Sequence, residues 1–263
     1  MTAPAYDQTV AAAAHGGRFR PDPPAFDVVH STEGPMSDGN ARALAENWFG
    51  RPKSEGGAGT STTGIFDPSG SVRMLDEHTI PYHVGPVGNP LCTGDEHCGS
   101  VNLTPEQWIS ARGQAMLDAS AKVKAQRAIF RGWSLADCRW LSVTEVARRT
   151  VRGFCTHNDV RLALGGTTHS DPGPNFPYSW YMGRIRYWFQ VLTGAIDPEE
   201  DMALSDEDKA WLRSLTGGGG GTTPVSVTQQ AYNLLHTDLA DVQARLQRIE
   251  DLLDQPTPPT PGA

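Results

Sequence analysis

Thr-His-Asn-Asp-Val occupies residues 156–160 of this 263-residue sequence, and Gly-Gly-Thr-Thr-His-Ser-Asp-Pro-Gly-Pro-Asn-Phe-Pro follows at residues 165–177. The two segments carry two histidines and an aspartate, on what the glycines and prolines predict to be a rigid loop. A third histidine, His30, ends a short apolar run that predicts a buried strand over residues 26–30. Two imidazoles and a carboxylate form the ligand set of a catalytic zinc ion that keeps one coordination position for water.

These motifs resemble those of the zinc N-acetylmuramoyl-L-alanine amidases, which share a fold with the peptidoglycan-recognition proteins. The family anchors read here as Val-Val-His30, Thr-His157-Asn-Asp and Asp171-Pro-Gly-Pro-Asn-Phe-Pro. The resemblance covers residues 25–192 and is strongest to actinobacteriophage endolysins of the lysin A type. It implies an α/β fold in which a mixed central β-sheet is flanked by helices and carries a zinc site on one face.

The resemblance also implies the chemistry. His30, His157 and Asp171 are expected to hold Zn²⁺, and the expected substrate is bacterial cell-wall peptidoglycan. The bond that this family cleaves joins N-acetylmuramic acid to the L-alanine of the stem peptide, which would serve phage-mediated host lysis. A virion-associated wall-penetrating amidase and a non-catalytic peptidoglycan-binding module on the same fold are the alternatives. The complete ligand set favours an enzyme.

Amide hydrolysis also requires a base for the attacking water and an acid for the leaving amine. The stretch Gly-Asp-Glu-His at residues 94–97 stands where relatives have an Ile-Gly-Ile-Glu-His type of strand. The resemblance therefore makes Glu96 the candidate base, while Glu33, Glu77 and Asp95 remain alternatives.

Two further histidines receive roles from the resemblance. His169 stands where many relatives have a lysine that contacts the carbonyl oxygen of the scissile bond, so we expect a catalytic role for it. In the alternative interpretation His169 is the third zinc ligand and Asp171 is its hydrogen-bond partner. His83 corresponds to a histidine that lines the substrate groove in relatives, and it is expected to bind substrate.

The composition limits the partners and the location. A net charge of −8 and a pI near 5.4, without a Lys/Arg-rich run, argue against binding to nucleic acid. No stretch approaches the roughly 20 apolar residues of a membrane span. The sequence shows no signal peptide, so we expect the protein to stay in the host cytoplasm until a holin releases it to the cell wall. The four cysteines are expected to be buried thiols.

Local patterns predict several elements. A helix is expected over residues 38–50, with Asp38 as its N-cap and with Leu44, Trp48 and Phe49 on its inner face. Strands at 65–67 and 72–75 are expected to form a hairpin. Thr104 is expected to open a long helix that ends near residue 131.

The C-terminal part predicts a second module. Seven apolar residues alternate spacings of three and four, which indicates a coiled coil and a homo-oligomer: Tyr232, Leu235, Leu239, Val242, Leu246, Ile249 and Leu253. A helix that folds back on the catalytic domain is the alternative. The predicted organisation is a flexible N-terminal arm (1–24), a zinc amidase domain (25–195), a short helical extension (196–216), a Gly-rich linker (217–224), a coiled-coil helix (225–255) and a Pro-rich tail (256–263).

Overall fold

The computed structural model of the protein describes residues 2–19 and 24–196. In these ranges the chain forms a six-stranded sheet of order β1-β4-β3-β5-β2-β6, in which only the β3–β4 pair is antiparallel. The strands are β1 (Gln8–Thr9), β2 (Phe26–Ser31), β3 (Gly64–Asp67), β4 (Gly70–Arg73), β5 (Cys92–His97) and β6 (Gly153–Thr156). The predicted α/β class, the mixed sheet and the β3–β4 hairpin are confirmed.

The helices of the described part are α1 (Asn40–Leu44), α2 (Pro105–Trp108), α3 (Ala111–Phe130), α4 (Val143–Ala147), α5 (His157–Leu164) and α6 (Tyr178–Leu192). Helices α3 and α6 pack against each other, and α5 packs against α4. No helix of the described residues is long and apolar enough to cross a membrane.

Alternation along the central strands sends neighbouring side chains to opposite faces of the sheet. Val29 packs in the larger hydrophobic core with residues of α3 and α6. Phe26 and Val28 pack in a smaller core together with Val160 of α5. His30 has the same parity as Phe26 and Val28, and it is paired in register with Glu96 of β5. Both side chains therefore belong to the face that carries α5.

The helix predicted over residues 38–50 differs from the structure. Helix α1 starts at Asn40 after Gly39, whose φ of 75° is left-handed, and Asp38 instead pairs with Arg112 at 2.8 Å. The chain then forms a π-helical turn, Ala45–Phe49. This wider turn rotates the side chains away from the α-helical pattern. As a result Phe49 is buried, whereas Trp48, expected on the inner face, is 49% exposed.

The long helix predicted from Thr104 is broken once. Thr104 forms the expected capping box with Gln107, but α2 ends after one turn. Ser110 then caps a new helix, α3, by accepting a hydrogen bond from the backbone N–H of Gly113 at 3.2 Å. A side chain at Gly113 would lie only 2.0 Å from the carbonyl oxygen of Trp108, so glycine allows this tight junction.

The N-terminal residues are attached more closely than we predicted. Gln8 and Thr9 form β1, which pairs with β4 at the edge of the sheet. The hydroxyl of Tyr6 accepts a hydrogen bond from Arg127 at 2.5 Å, and Phe19 is buried. The sequence suggested a flexible arm because the segment is rich in Ala and Pro. In the structure, Tyr6, Phe19 and the β1–β4 pair hold the segment against the domain. The predicted extension, linker, coiled coil and tail lie outside the described residues.

A buried ionic network fills the space between α3 and the sheet. Its cations come from one face of α3 and its anions from three separate segments: Lys124, Arg127 and Arg131, with Asp27, Glu77 and Asp95. Arg127 is central, because its guanidinium lies 2.6 Å from oxygens of all three carboxylates. The Arg127 and Lys124 charges overcome the effect of burial and hold the pKa of Asp95 below its usual range.

We expect Arg127→Met to lower the free energy of unfolding by about 3–5 kcal/mol, because it leaves buried carboxylates without their main partner. Urea titration at pH 7 measures this loss. Arg42→Met is the matched control: Arg42 pairs with Glu46 on the surface, and its loss should cost at most about 0.5 kcal/mol. Equal stabilities of the two variants would contradict a structural role for the network.

Candidate active site

Three segments bring the predicted zinc ligands together. His30 lies near the end of β2, His157 is the first residue of α5, and Asp171 lies in the loop between α5 and α6. His157 is therefore helical rather than in the loop that the sequence suggested. Thr156 caps α5 in a capping box with Asp159, and this cap fixes the start of the helix.

The three side chains offer ligand atoms that all lie within 4.8 Å of one another, and all three residues are buried. Asp171 stands between the two rings: its Oδ2 is 3.1 Å from Nδ1 of His30, and its Oδ1 is 3.0 Å from Nδ1 of His157. The backbone N–H of Ser31 also donates to Oδ2 of Asp171 at 3.2 Å.

This donor set fits a zinc ion. A tetrahedral ion with bonds of about 2.0–2.1 Å separates its ligand atoms by roughly 3.3 Å, close to the observed N–O distances. The second nitrogen of each ring also has a polar neighbour, as is usual for metal-binding histidines. Nε2 of His157 is 2.8 Å from the hydroxyl of Thr167, and Nε2 of His30 is 2.8 Å from Nδ1 of His83.

The electrostatics of the cluster favour a neutral His30 ring beside an ionised Asp171 carboxyl. Burial lowers the pKa of His30, although its hydrogen bond with Asp171 acts in the opposite direction. Burial also opposes ionisation of Asp171, but hydrogen bonds from His157 and His30 outweigh it and hold its pKa below the usual range. Neutral imidazole and ionised carboxylate are the forms in which these side chains bind a metal.

Glu96, the candidate base, lines the same cavity as the three clustered residues. Its atom Oε2 is buried and has no hydrogen-bond partner within the described residues. Burial, together with the nearby charges of Asp171 and Glu33, raises the pKa of Glu96 well above its ordinary value. A carboxyl group whose pKa is raised in this way can both accept and return a proton.

The alternative bases occupy other surroundings. Asp95 and Glu77 belong to the buried ionic network, and Asp95 follows the opposite parity to Glu96 in β5. Glu33 does line the cavity, but its carboxylate accepts hydrogen bonds from the hydroxyl of Ser31 at 2.6 Å and from the backbone N–H of Val101 at 3.2 Å. Of the four carboxyl groups, Glu96 therefore has the surroundings of a base in the cavity.

His169 and His83 approach the clustered residues from two sides. The ring of His169 is stacked on that of His157, with 5.1 Å between centroids and 13° between planes, and the residue is exposed. His83 lies in the loop between β4 and β5 and contacts His30 directly. Thr167, the partner of His157, was not predicted from the sequence; the available signal was a hydroxyl two residues before a candidate catalytic histidine.

The cavity has a volume of about 580 Å³, which is in the range of small-molecule sites. The polar cluster lies at one part of its wall, and an apolar part is formed by Leu44, Trp48, Phe49 and Tyr82. Trp48 and Tyr82 are 49% and 39% exposed. The site can therefore combine polar chemistry with an aromatic surface for an amphipathic substrate.

Comparison with solved structures identifies the fold. The Staphylococcus aureus hydrolase AmiA, solved in complex with its ligand, matches with a TM-score of 0.55 and 18% identity over 75% of this chain and 89% of that chain. A mutant endolysin from Bacillus subtilis matches with a TM-score of 0.44 and 16% identity over 68% and 96% of the two chains. No protein-family model and no curated protein matches the sequence. The chain thus shares the fold of AmiA.

Proposed function

We propose that the protein is a zinc-dependent N-acetylmuramoyl-L-alanine amidase that cleaves the bond between N-acetylmuramic acid and the L-alanine of the stem peptide. The observation that carries this proposal is the cluster of His30, His157 and Asp171 at the wall of a cavity that also contains Glu96. The motif resemblance and the fold shared with a hydrolase support it. We further propose that it acts as a phage endolysin in host lysis.

In the proposed mechanism His30, His157 and Asp171 hold the zinc ion. Zinc bound there would act as a Lewis acid on the amide carbonyl and lower the pKa of water. Glu96 accepts the proton of the attacking water and returns it to the leaving amine, a role that its raised pKa suits. His169 donates a hydrogen bond to the carbonyl oxygen as negative charge develops on it.

Two parts of the proposal concern the substrate and the assembly. Trp48 and Tyr82 present aromatic faces to the cavity, where sugar rings or the stem peptide can pack. We also propose that the coiled coil predicted for residues 225–255 joins several catalytic domains and thereby raises their effective concentration on the wall. A non-catalytic wall-binding module remains the second candidate, since it would share the fold.

We expect digestion of purified peptidoglycan to release N-terminal alanine amines without new reducing sugar ends, because the amidase cuts outside the glycan chain. Amine labelling followed by mass spectrometry, together with a reducing-sugar assay, measures both products. A zinc chelator should abolish the release, and added Zn²⁺ should restore it. New reducing ends without N-terminal alanine amines would identify a glycosidase instead, and wall binding without any product would identify the binding module.

A further inference from the structure

His83 is fixed in place by its own loop as well as by its ring contacts. The side-chain oxygen of Asn89 accepts hydrogen bonds from the backbone N–H groups of His83 and Val84 at 3.0 and 2.9 Å. Gly94 of β5 leaves space for the ring because it has no side chain. A Cβ there would lie 2.5 Å from Nδ1 of His83 and 3.0 Å from Nε2 of His30. The chain thus places a glycine at the point where the two imidazoles meet.

The ring of His83 lies between two partners. Its Nδ1 is 2.8 Å from Nε2 of His30, and its Nε2 is 3.4 Å from Sγ of Cys92. Cys92 is fully buried at the start of β5, and its thiol donates to the carbonyl oxygen of Gly88 at 3.3 Å. These contacts form one continuous chain of hydrogen bonds that ends at a backbone carbonyl.

The direction of this chain follows from the form of His30 that would bind zinc. In the form that binds zinc through Nδ1, a neutral His30 ring carries its proton on Nε2. The neutral His83 ring then has no proton on Nδ1, and that atom accepts a hydrogen bond from Nε2–H of His30. The proton of His83 is then on Nε2, which faces Sγ of Cys92. Nδ1 of His30, which donates to Asp171 at 3.1 Å in the zinc-free protein, is free for the metal.

We propose that His83 is a positioning residue for the metal ligand His30, held in turn by Cys92, and that it selects the ring orientation and tautomer in which His30 binds zinc. This inference rests on the proposed metal site and replaces the groove-contact role that the sequence suggested for His83. Hydrogen-bond partners of this kind typically contribute 10–100-fold to metal affinity. Thr167 stands in the corresponding place beside His157.

The test measures the zinc dissociation constant of the full chain by competition with a chromophoric chelator, without substrate. We expect His83→Ala to raise this constant about 10–100-fold. His83→Asn, whose side-chain oxygen can take the place of Nδ1 as acceptor, should recover most of the affinity. Cys92→Ala should give a value between those of the parent and His83→Ala, because it frees the ring without removing it.

Tyr82→Ala is the matched control, since Tyr82 is the preceding residue and lines the same cavity without bonding to His30. It should leave the zinc dissociation constant unchanged while it raises KM for a soluble muramoyl-peptide. Circular dichroism of the zinc-free variants establishes that each one is folded.

Zinc affinity of His83→Ala equal to that of the parent, with a raised KM, would overturn the inference and restore the groove role. Equal affinities of His83→Asn and His83→Ala would also count against it, because the acceptor would then be irrelevant. A parent protein that binds no zinc would reject the metal site itself. A parent that binds zinc but frees no N-terminal alanine amines from peptidoglycan would reject only the proposed reaction, and the affinity series would still decide the role of His83.

Discussion

His30→Ala, His157→Ala and Asp171→Ala should each lose bound zinc and amidase activity together. The three candidate ligand atoms lie within 4.8 Å of one another, so each substitution removes one of the three protein ligands that we propose for the zinc ion. A Lewis acid provides several kcal/mol of transition-state stabilisation, and each 1.36 kcal/mol corresponds to a tenfold change in rate. We therefore expect rates to fall by about 10³-fold or more, with zinc content measured by elemental analysis of the purified variants.

His169→Ala is the control that separates a ligand from a neighbouring catalytic residue. Its ring is stacked on His157 and exposed, whereas Asp171 is buried between the two clustered imidazoles. We expect the variant to keep its zinc and to lose rate. If His169→Ala loses the metal while Asp171→Ala keeps it, the two residues exchange the roles that we propose.

Glu96→Gln should keep zinc and the fold but slow amide hydrolysis by about 10²–10⁴-fold, the contribution of a general base. The amide has the shape of the carboxyl group but cannot accept the proton of the attacking water. Glu33→Gln is the matched control, because Glu33 lines the same cavity but is bound to Ser31 and Val101. A larger loss of rate in Glu33→Gln than in Glu96→Gln would assign the base to Glu33.

The raised pKa of Glu96 also predicts how the stability of the zinc-free Glu96→Gln variant depends on pH. Because the pKa is higher in the folded chain than in the unfolded one, Glu96 binds its proton more tightly when folded. Its ionisation then costs stability as the pH rises above the unfolded value of about 4.3. Glu96→Gln should therefore stabilise the zinc-free protein at pH 7 and have little effect at pH 4, as measured by urea unfolding.

The sequence was most informative about the residues that the structure brings together at the cavity wall. His30 ends an apolar run, and Asp171 lies in a Pro- and Gly-rich segment, so local patterns were sufficient to select them. The same patterns could not assign Asp95, which remained an alternative to Glu96 as the base. Its partner Arg127 is 32 residues away on α3, and only the packing of that helix on the sheet explains a buried charge.

Two other differences also arise from tertiary structure. The inner face of the helix over residues 38–50 was predicted from α-helical spacing, which fails where the π-helical turn begins at Ala45. Trp48 is therefore in the wall of the cavity instead of the core. The attachment of the N-terminal residues depends on an edge strand, β4, and on Tyr6 reaching Arg127, and neither partner lies nearby in the sequence.

The opposite orientation of Asp95 and Glu96 has a consequence for how the chain tolerates insertions and deletions. Asp95 points into the ionic network and Glu96 points into the cavity. Because side chains alternate along a strand, the position of each acid in β5 determines the face on which it lies. A one-residue slip would exchange them, and the cavity would then receive the wrong carboxylate. It would also turn the longer side chain of Glu96 toward Arg127 in place of Asp95. The buried ionic network therefore disfavours a fold in which β5 is misaligned by one residue, whether or not substrate is present.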